Sequence, residues 1–351
     1  MRLAMVASNV IRIPPDPPAQ YVPQGWSGAP EMVVSLITEE LVKRGHQVTL
    51  FASGDSKTKA ALESILNVAT SSTEQFKDHR DYEEVLISKA YQMAAEGQFD
   101  LLHSHFDTRT APFAPLVDVP TISTLHSPLE GKVNTILQYF KKTQYYVSIS
   151  DAQRKPLADL NYTATIHHGI DITHMPFSKE KEDYLLFSGR LIPAKGVAEA
   201  IKVAKRTKNR LIILGSVDLQ SPYWLNNIKP EIDNQQIIYK GFVTREDLFQ
   251  YYAKAKAFVF PVQWEEPFGL VTIEAMATGT PTIAFARGSL PEIIDQGKTG
   301  FLCHTVEDME EAVKKIGQIN PLDCRKKVED FFTVEKMVDK YEQSYYNILK
   351  P

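Results

Sequence analysis

The sequence predicts an α/β protein built from two doubly wound, parallel-sheet domains in tandem. Three observations carry this prediction. Short, nearly continuous apolar runs alternate with amphipathic segments along the chain, which is the pattern of parallel strands covered by helices on both faces. The alternation starts afresh near residue 184, after the charged stretch K-E-K-E-D at Lys179–Asp183. The 351 residues are also enough for about two domains.

The elements follow in order. The first series of strands is expected at Leu3–Ala7, Val48–Ala52, Leu101–His103, Thr121–Leu125, Tyr146–Ile149 and Thr165–His167. The second is expected at Tyr184–Ser188, Leu211–Leu214, Ile237–Tyr239, Ala257–Phe260 and Thr282–Phe285. Helical patterns lie between them. Pro30–Arg44 places Val33, Leu36, Ile37 and Leu41 on one face and closes at Gly45. Further helices are expected at Glu83–Glu96, Gly196–Arg206, Arg245–Lys254 and Val306–Ile316. A final helix, Val334–Leu349, carries Met337, Tyr341, Tyr345 and Ile348 as a stripe. The expected domains are residues 1–172 and 184–332, with 333–351 as a terminal helix. Ile13–Gln24 is a proline-rich loop, and no internal repeat is visible. Ligands of doubly wound sheets bind beyond the carboxyl ends of the strands, so two such domains facing each other would form an interdomain cleft.

Composition excludes some partners. A net charge of −4 gives no electrostatic case for nucleic acid. The two cysteines, Cys303 and Cys324, lack paired metal-ligand spacing and suit a reducing cytoplasm. The N-terminal M-R-L-A-M-V-A-S reads as a first strand rather than a signal peptide. No apolar run reaches the roughly 18 residues of a membrane span.

Four places carry chemistry-bearing residues. The first is W-E-E-P-F-G-L-V-T-I-E-A-M-A-T-G-T-P, Trp264–Pro281, where Glu266 and Glu274 stand in a strongly apolar neighbourhood. A helix is expected from near Pro267 to Thr278, with Gly279 as its cap. Eight helical residues rise about 12 Å and return to within about 80° of one face, so both carboxylates can face one ligand. Backbone N–H groups around Phe268, Gly269 and Leu270 are unpaired at such a helix start and can hold oxygens. Either glutamate could equally be a solvated helix residue or a capping acid. The second place is S-G-R-L-I-P-A-K-G-V, Ser188–Val197, with Arg190 and Lys195 in a strand-to-helix loop. Two cations beside a helix start suit a diphosphate, although alone they also describe an ordinary surface loop. The third is the small-residue loop Gly25–Pro30 before the first long helix, which lets backbone approach a ligand closely. It carries no G-x-G-x-x-G fingerprint. The fourth is a set of strand-end histidines: His103, His105, His126, His167 and His168. His103 and His46 read as structural, whereas His126 could hydrogen-bond a sugar or polarise a reacting centre.

These residues together resemble the retaining glycosyltransferases of the GT-B fold, family 4. The resemblance runs along nearly the whole chain: S-G-A-P-E-M-V-V-S-L-I-T-E-E-L-V-K-R-G-H-Q-V-T-L-F-A-S-G-D, H-H-G-I-D at 167–171, G-R-L-I-P-A-K-G, K-G-F-V-T-R-E-D-L, E-P-F-G-L-V-T-I-E-A-M-A-T-G-T-P, G-S-L-P-E-I-I and G-K-T-G-F-L. It is the set in this order that is specific. It implies two Rossmann-like domains, the first binding an acceptor and the second a nucleotide-sugar donor, with the last helix crossing back to the first. It also implies roles by position. Arg190 and Lys195 would bind the donor diphosphate. Glu266 and Glu274 match the E-x7-E pair, at the donor sugar and the ribose. Phe268, Gly269 and Leu270 would present backbone N–H groups, and Phe242 and Val243 would hold the base. Gly28 would approach the phosphates, and His126 would lie near the donor sugar. The sequence departs from the family in having S-G-A for a double glycine, His168 for a frequent Asn and Ala194 for a common Glu.

The implied reaction is transfer of a hexose from a UDP-sugar, or GDP-mannose, to an acceptor hydroxyl with retention. The diphosphate sugar is a co-substrate, and neither a metal nor another cofactor is expected. Alternatives are a nonhydrolysing nucleotide-sugar epimerase, a sugar phosphorylase, or a nucleotide-sugar-binding protein without turnover. The acceptor would lie near the Pro-rich loop and Phe106–Arg109. The basic stretch Lys132–Lys142, with Ile136, Leu137, Tyr139 and Phe140, could touch a membrane surface or be a core-packed amphipathic helix.

Overall fold

The computed structural model describes residues 1–15 and 28–350. Most of the Pro-rich loop, and Gly25, Trp26 and Ser27 of the small-residue loop, lie outside the described residues. The chain divides into two compact units. One is Met1–Gly169 together with Val334–Pro351, and the other is Ile170–Thr333.

The first unit holds a seven-stranded sheet: β1 (Arg2–Val6), β2 (Gln47–Phe51), β3 (Ala61–Glu63), β4 (Leu101–Ser104), β5 (Thr121–Thr124), β6 (Tyr145–Ser148) and β7 (Tyr162–Thr165). Its order is β3-β2-β1-β4-β5-β6-β7, and every pairing is parallel. Helices α1 (Ala29–Lys43), α2 (His79–Ala95), α3 (Gly131–Tyr139) and α4 (Asp151–Arg154) belong to this unit. Leu86, Ile87, Ala90 and Ala94 of α2 pack on Ala4, Val6 and Leu102 of the sheet as one buried cluster.

The second unit holds β8 (Tyr184–Ser188), β9 (Arg210–Leu214), β10 (Ile237–Gly241), β11 (Ala257–Phe260), β12 (Thr282–Phe285) and β13 (Gly300–Cys303). Their order is β10-β9-β8-β11-β12-β13, again wholly parallel. Its helices are α5 (Val197–Thr207), α6 (Arg245–Lys254), α7 (Leu270–Ala277), α8 (Leu290–Ile293), α9 (Val306–Lys315) and α10 (Pro321–Phe331). The final helix α11 (Val334–Leu349) returns to the first unit. In each sheet the strand order reverses direction beside the first strand, between β1 and β4 and between β8 and β11. Such switch points open a crevice at the carboxyl ends of the strands.

Several elements depart from the sequence prediction. The strand placed at 165–167 lies at Tyr162–Thr165, because its half-buried edge position gives no apolar run to fix its bounds. β3 is a three-residue, half-exposed edge strand, and it was missed for the same reason. β13 was also missed; G-F-L-C is short and its two central residues are only half-buried. Helix α10 is mostly charged and buries Cys324 and Val328 alone, too little for a visible period. α3 buries Leu137, and Val133 packs against the same cluster. Tyr139 stands exposed at its end. Among the described residues, no helix is long and apolar enough to cross a membrane.

Candidate active site

The second unit's switch point brings the loops of Lys195 and Glu266 together. β8 ends at Ser188 and releases the loop Gly189–Gly196, while β11 ends at Phe260 and releases Pro261–Gly269. The two loops interlock. The Gln263 N–H donates to the Ala194 carbonyl at 2.8 Å. Gly196 sits in the left-handed region at φ 77°, and a Cβ there would lie 1.9 Å from the Pro261 carbonyl oxygen. Only glycine allows this approach. Lys195 ends a single 3-10 turn, Pro193–Lys195, immediately before α5.

That interlock brings Lys195 Nζ to 2.6 Å from Glu266 Oε2, in a pair that is mostly buried. Trp264 donates its indole N–H to the same Oε2 at 2.7 Å. The Lys195 ammonium also lies 4.8 Å from the centroid of a Trp264 ring and 5.5 Å from that of Phe260, within cation–π range. One carboxylate oxygen is therefore fixed by two donors. An ammonium has three N–H donors, so Lys195 keeps donors for a ligand while paired. The Arg190 guanidinium is half-buried and has no hydrogen-bond or ion-pair partner among the described residues.

Glu266 is not helical. α7 begins at Leu270, with Gly269 as its cap at φ 87°, three residues beyond the expected start. The helical argument that put Glu266 and Glu274 on one face therefore does not apply. Glu266 is instead held by loop contacts. Its carbonyl accepts the Ser289 N–H at 2.9 Å. Gly288, at φ 55°, passes so close that a Cβ would lie 2.2 Å from the Glu266 carbonyl oxygen. Glu265 is exposed and accepts the Gly288 N–H at 2.6 Å. The first-turn N–H groups of α7, at Leu270 and Val271, have no intrahelical acceptor. Phe268 is buried with its ring edge-on to Phe332, and its carbonyl accepts the Ser289 hydroxyl.

Glu274 lies on α7 with Arg245 Nη2 3.6 Å from Oε1. Burial pushes its carboxyl above the ordinary value, and Arg245 opposes that. Arg245 opens α6 two residues after Val243, so it ties that loop to Glu274. Phe242 is 49% exposed, which leaves a ring face open for stacking. Sequence reasoning missed both Trp264 and Arg245. The available signals were an indole donor two residues before a buried carboxylate and a cation at a helix start beside the loop of Phe242.

His126 and Gly28 belong to the first unit. Gly28 caps α1 in the left-handed region, at φ 71°. His126 follows β5; its N–H donates to Asp107 at 2.6 Å, and its ring stacks on His105 and His168. The loop after β4 also holds Arg109, which forms an ion pair with buried Glu83. Among the described residues no group of three or more His, Cys, Asp or Glu converges as a metal site.

Comparison with known proteins matches residues 172–331 to the family described as glycosyl transferases group 1, and residues 30–174 to glycosyltransferase family 4. The chain belongs to the family 4/group 1 glycosyltransferases of the GT-B fold. A relative in Klebsiella pneumoniae, described as an uncharacterized 41.2 kDa protein in the cps region, is 31% identical over 48% of this chain and 47% of its own. The chain spans 47%, 61% and 32% of the lengths of three curated relatives it matches. Among solved structures, sucrose-phosphate synthase of Thermosynechococcus elongatus aligns with a TM-score of 0.77 at 16% identity, covering 99% of both chains. Anabaena HepE, crystallised with UDP and glucose, aligns with a TM-score of 0.72 at 17% identity, covering 98% of this chain and 99% of that one. At these identities the likeness is one of fold.

Proposed function

We propose that this glycosyltransferase moves a hexose from a nucleotide diphosphate donor, a UDP-sugar rather than GDP-mannose, to an acceptor hydroxyl with retention. The observation that carries the reading is the cluster at the β8–β11 switch point. It holds an unpartnered guanidinium at Arg190, an ammonium with spare donors at Lys195, and a carboxylate fixed through one oxygen at Glu266. The barrier lies in breaking the anomeric C–O bond, with negative charge growing on the departing diphosphate. Lys195, held by Glu266 just before α5, and Arg190 on the same loop stabilise that charge as it develops, so the chemistry needs no metal or further cofactor. Glu266 Oε1, left free by the two donors on Oε2, accepts sugar hydroxyls. Glu274, with Arg245 favouring its charged form, accepts those of the ribose, and the Phe242 face stacks with the base. The leaving phosphate takes the acceptor's proton, and Glu266 is not a covalent nucleophile. The acceptor is assigned to the Met1–Gly169 unit. The complex of HepE with UDP and glucose supports the choice of a UDP donor.

The test is release of free nucleotide diphosphate from a panel of UDP- and GDP-sugars with candidate acceptors. Lys195→Ala is expected to lower kcat/KM by about 100-fold or more, the scale of removing one such charge-stabilising donor. Undiminished release in that variant rejects the site. Conversion of the donor sugar with the nucleotide still attached would identify an epimerase instead.

A further inference from the structure

In the first unit four histidine rings stand in a row. His103 and His105 lie 4.3 Å apart between centroids, His105 and His126 lie 5.2 Å apart, and His126 and His168 lie 5.4 Å apart. Within this row His105 Nδ1 and His126 Nε2 approach to 2.9 Å. Of two neutral imidazoles in such a contact, one must donate and the other accept.

The far side of His105 decides which. Its Nε2 lies 3.1 Å from Met5 Sδ. A thioether has no hydrogen to give and can only accept, so a bare ring nitrogen there would set lone pair against lone pair. Nε2 of His105 therefore carries the hydrogen. Burial keeps His105 neutral, far below its ordinary titration range, and the neighbouring His103, His126 and His168 act in the same direction. A neutral ring has one N–H, so Nδ1 of His105 is bare and accepts. His126 must then donate from Nε2. Burial also lowers the His126 value, with Asp107 opposing, so His126 is neutral near pH 7 and its Nδ1 is a bare lone pair. His126 is part-exposed, and Nδ1 has no partner among the described residues. The row is anchored at its other end, where His103 meets the Tyr345 hydroxyl at 2.7 Å and Thr124 Oγ1 at 2.8 Å.

We propose that Met5 and His105 are positioning residues that lock His126 as its Nε2–H tautomer, so that Nδ1 accepts a hydrogen bond from a sugar hydroxyl. An acceptor lone pair repels an anionic phosphate oxygen, so the partner of His126 is a hydroxyl, not the diphosphate. The tautomer follows from the geometry of the unit; the identity of the ligand rests on the sugar-transfer reading.

Nitrogen-15 NMR of histidine side chains in the ligand-free protein reads the tautomer directly. Wild type at pH 7.5 is expected to show His126 with its hydrogen on Nε2. His105→Leu removes the acceptor and should yield a mixture of tautomers. His105→Asn places a carbonyl oxygen near the lost Nδ1 and should restore the Nε2–H form. Met5→Leu, the milder change, should release His105 and partly mix both rings. In transfer assays His105→Leu should lose about tenfold in kcat/KM, one hydrogen bond's worth, and His105→Asn should recover part of it. A hydrogen on Nδ1 of His126 in wild type overturns the proposal. So does a tautomer unmoved by His105→Leu or Met5→Leu in folded protein, or equal activity losses in the Leu and Asn variants. If no donor–acceptor pair reacts at all, the transfer reading fails while the spectrum still decides the tautomer.

Discussion

Glu266 Oε2 receives two donors, Lys195 Nζ and Trp264 Nε1, and this is the contact in the proposed donor site with the clearest consequence for a single substitution. Trp264→Phe keeps an aromatic ring beside the ammonium and removes the N–H. With one of its two restraints gone, Glu266 should lose part of its pre-organisation. The expected outcome is a fall of about tenfold in kcat/KM with little change in melting temperature, since one hydrogen bond contributes on the order of 1 kcal/mol. Steady-state kinetics and calorimetry on the same sample check it. A second residue-scale prediction concerns Glu31, in the first turn of α1. It is buried, its Oε2 has no hydrogen-bond partner among the described residues, and its carboxyl is pushed up from 4.5 to about 7, mainly by burial. Well below pH 4.5 the group is protonated whether the chain is folded or unfolded. As pH rises from there to about 7, the unfolded chain ionises first and the folded state is penalised, so stability falls by up to about 3 kcal/mol. Glu31→Gln cannot ionise. Its stability relative to wild type should therefore rise between pH 4 and pH 8, as read from urea midpoints at each pH. A constant difference would show that Glu31 does not carry the shift.

At the scale of elements, α11 is the piece on which the first unit depends. Met337, Val338, Tyr341 and Tyr345 are fully buried or nearly so. Tyr341 and Tyr345 reach Thr124 and His103 of the sheet. Arg44 pairs with Asp339 and Glu342, and His46 Nε2 meets Glu342 at 2.7 Å. Exposing four such side chains costs about 1.5–3 kcal/mol each, a sum comparable to the 5–15 kcal/mol that holds a typical domain folded. Truncation after Thr333 should therefore abolish the calorimetric transition of the first unit and leave that of Ile170–Thr333. Two intact transitions would contradict this. The same helix shows how legible the elements were. Its bounds, and those of β8, β11 and β12, were readable because each is a long amphipathic stripe or a closed apolar run. β3, β13 and α10 were not, because they bury too few residues to leave a period.

At the scale of the whole molecule, the sequence by itself determined the fold class, the tandem repetition of the strand–helix pattern and the family. Those depend on local properties: apolar period, strand-ending glycines, and ordered motifs such as G-R-L-I-P-A-K-G and E-P-F-G-L-V-T-I-E. It also named Arg190, Lys195, Glu266 and Glu274 as site candidates. What it could not supply is how residues far apart in the chain meet. The sequence argument joined Glu266 to Glu274 through a helix that starts after Glu266. The fold joins Glu266 to Lys195 instead, 71 residues earlier, because β8 and β11 are neighbours and both loops leave their carboxyl ends. Likewise His103 reads as a structural histidine in sequence, and the fold sets its ring 4.3 Å from that of His105 and bonds it to Tyr345, 242 residues away. Sequence fixes what each segment becomes, because period and turn chemistry act over a few residues. Only the parallel sheet order decides which segments share a crevice, because strand neighbours in a doubly wound sheet need not be neighbours in the chain.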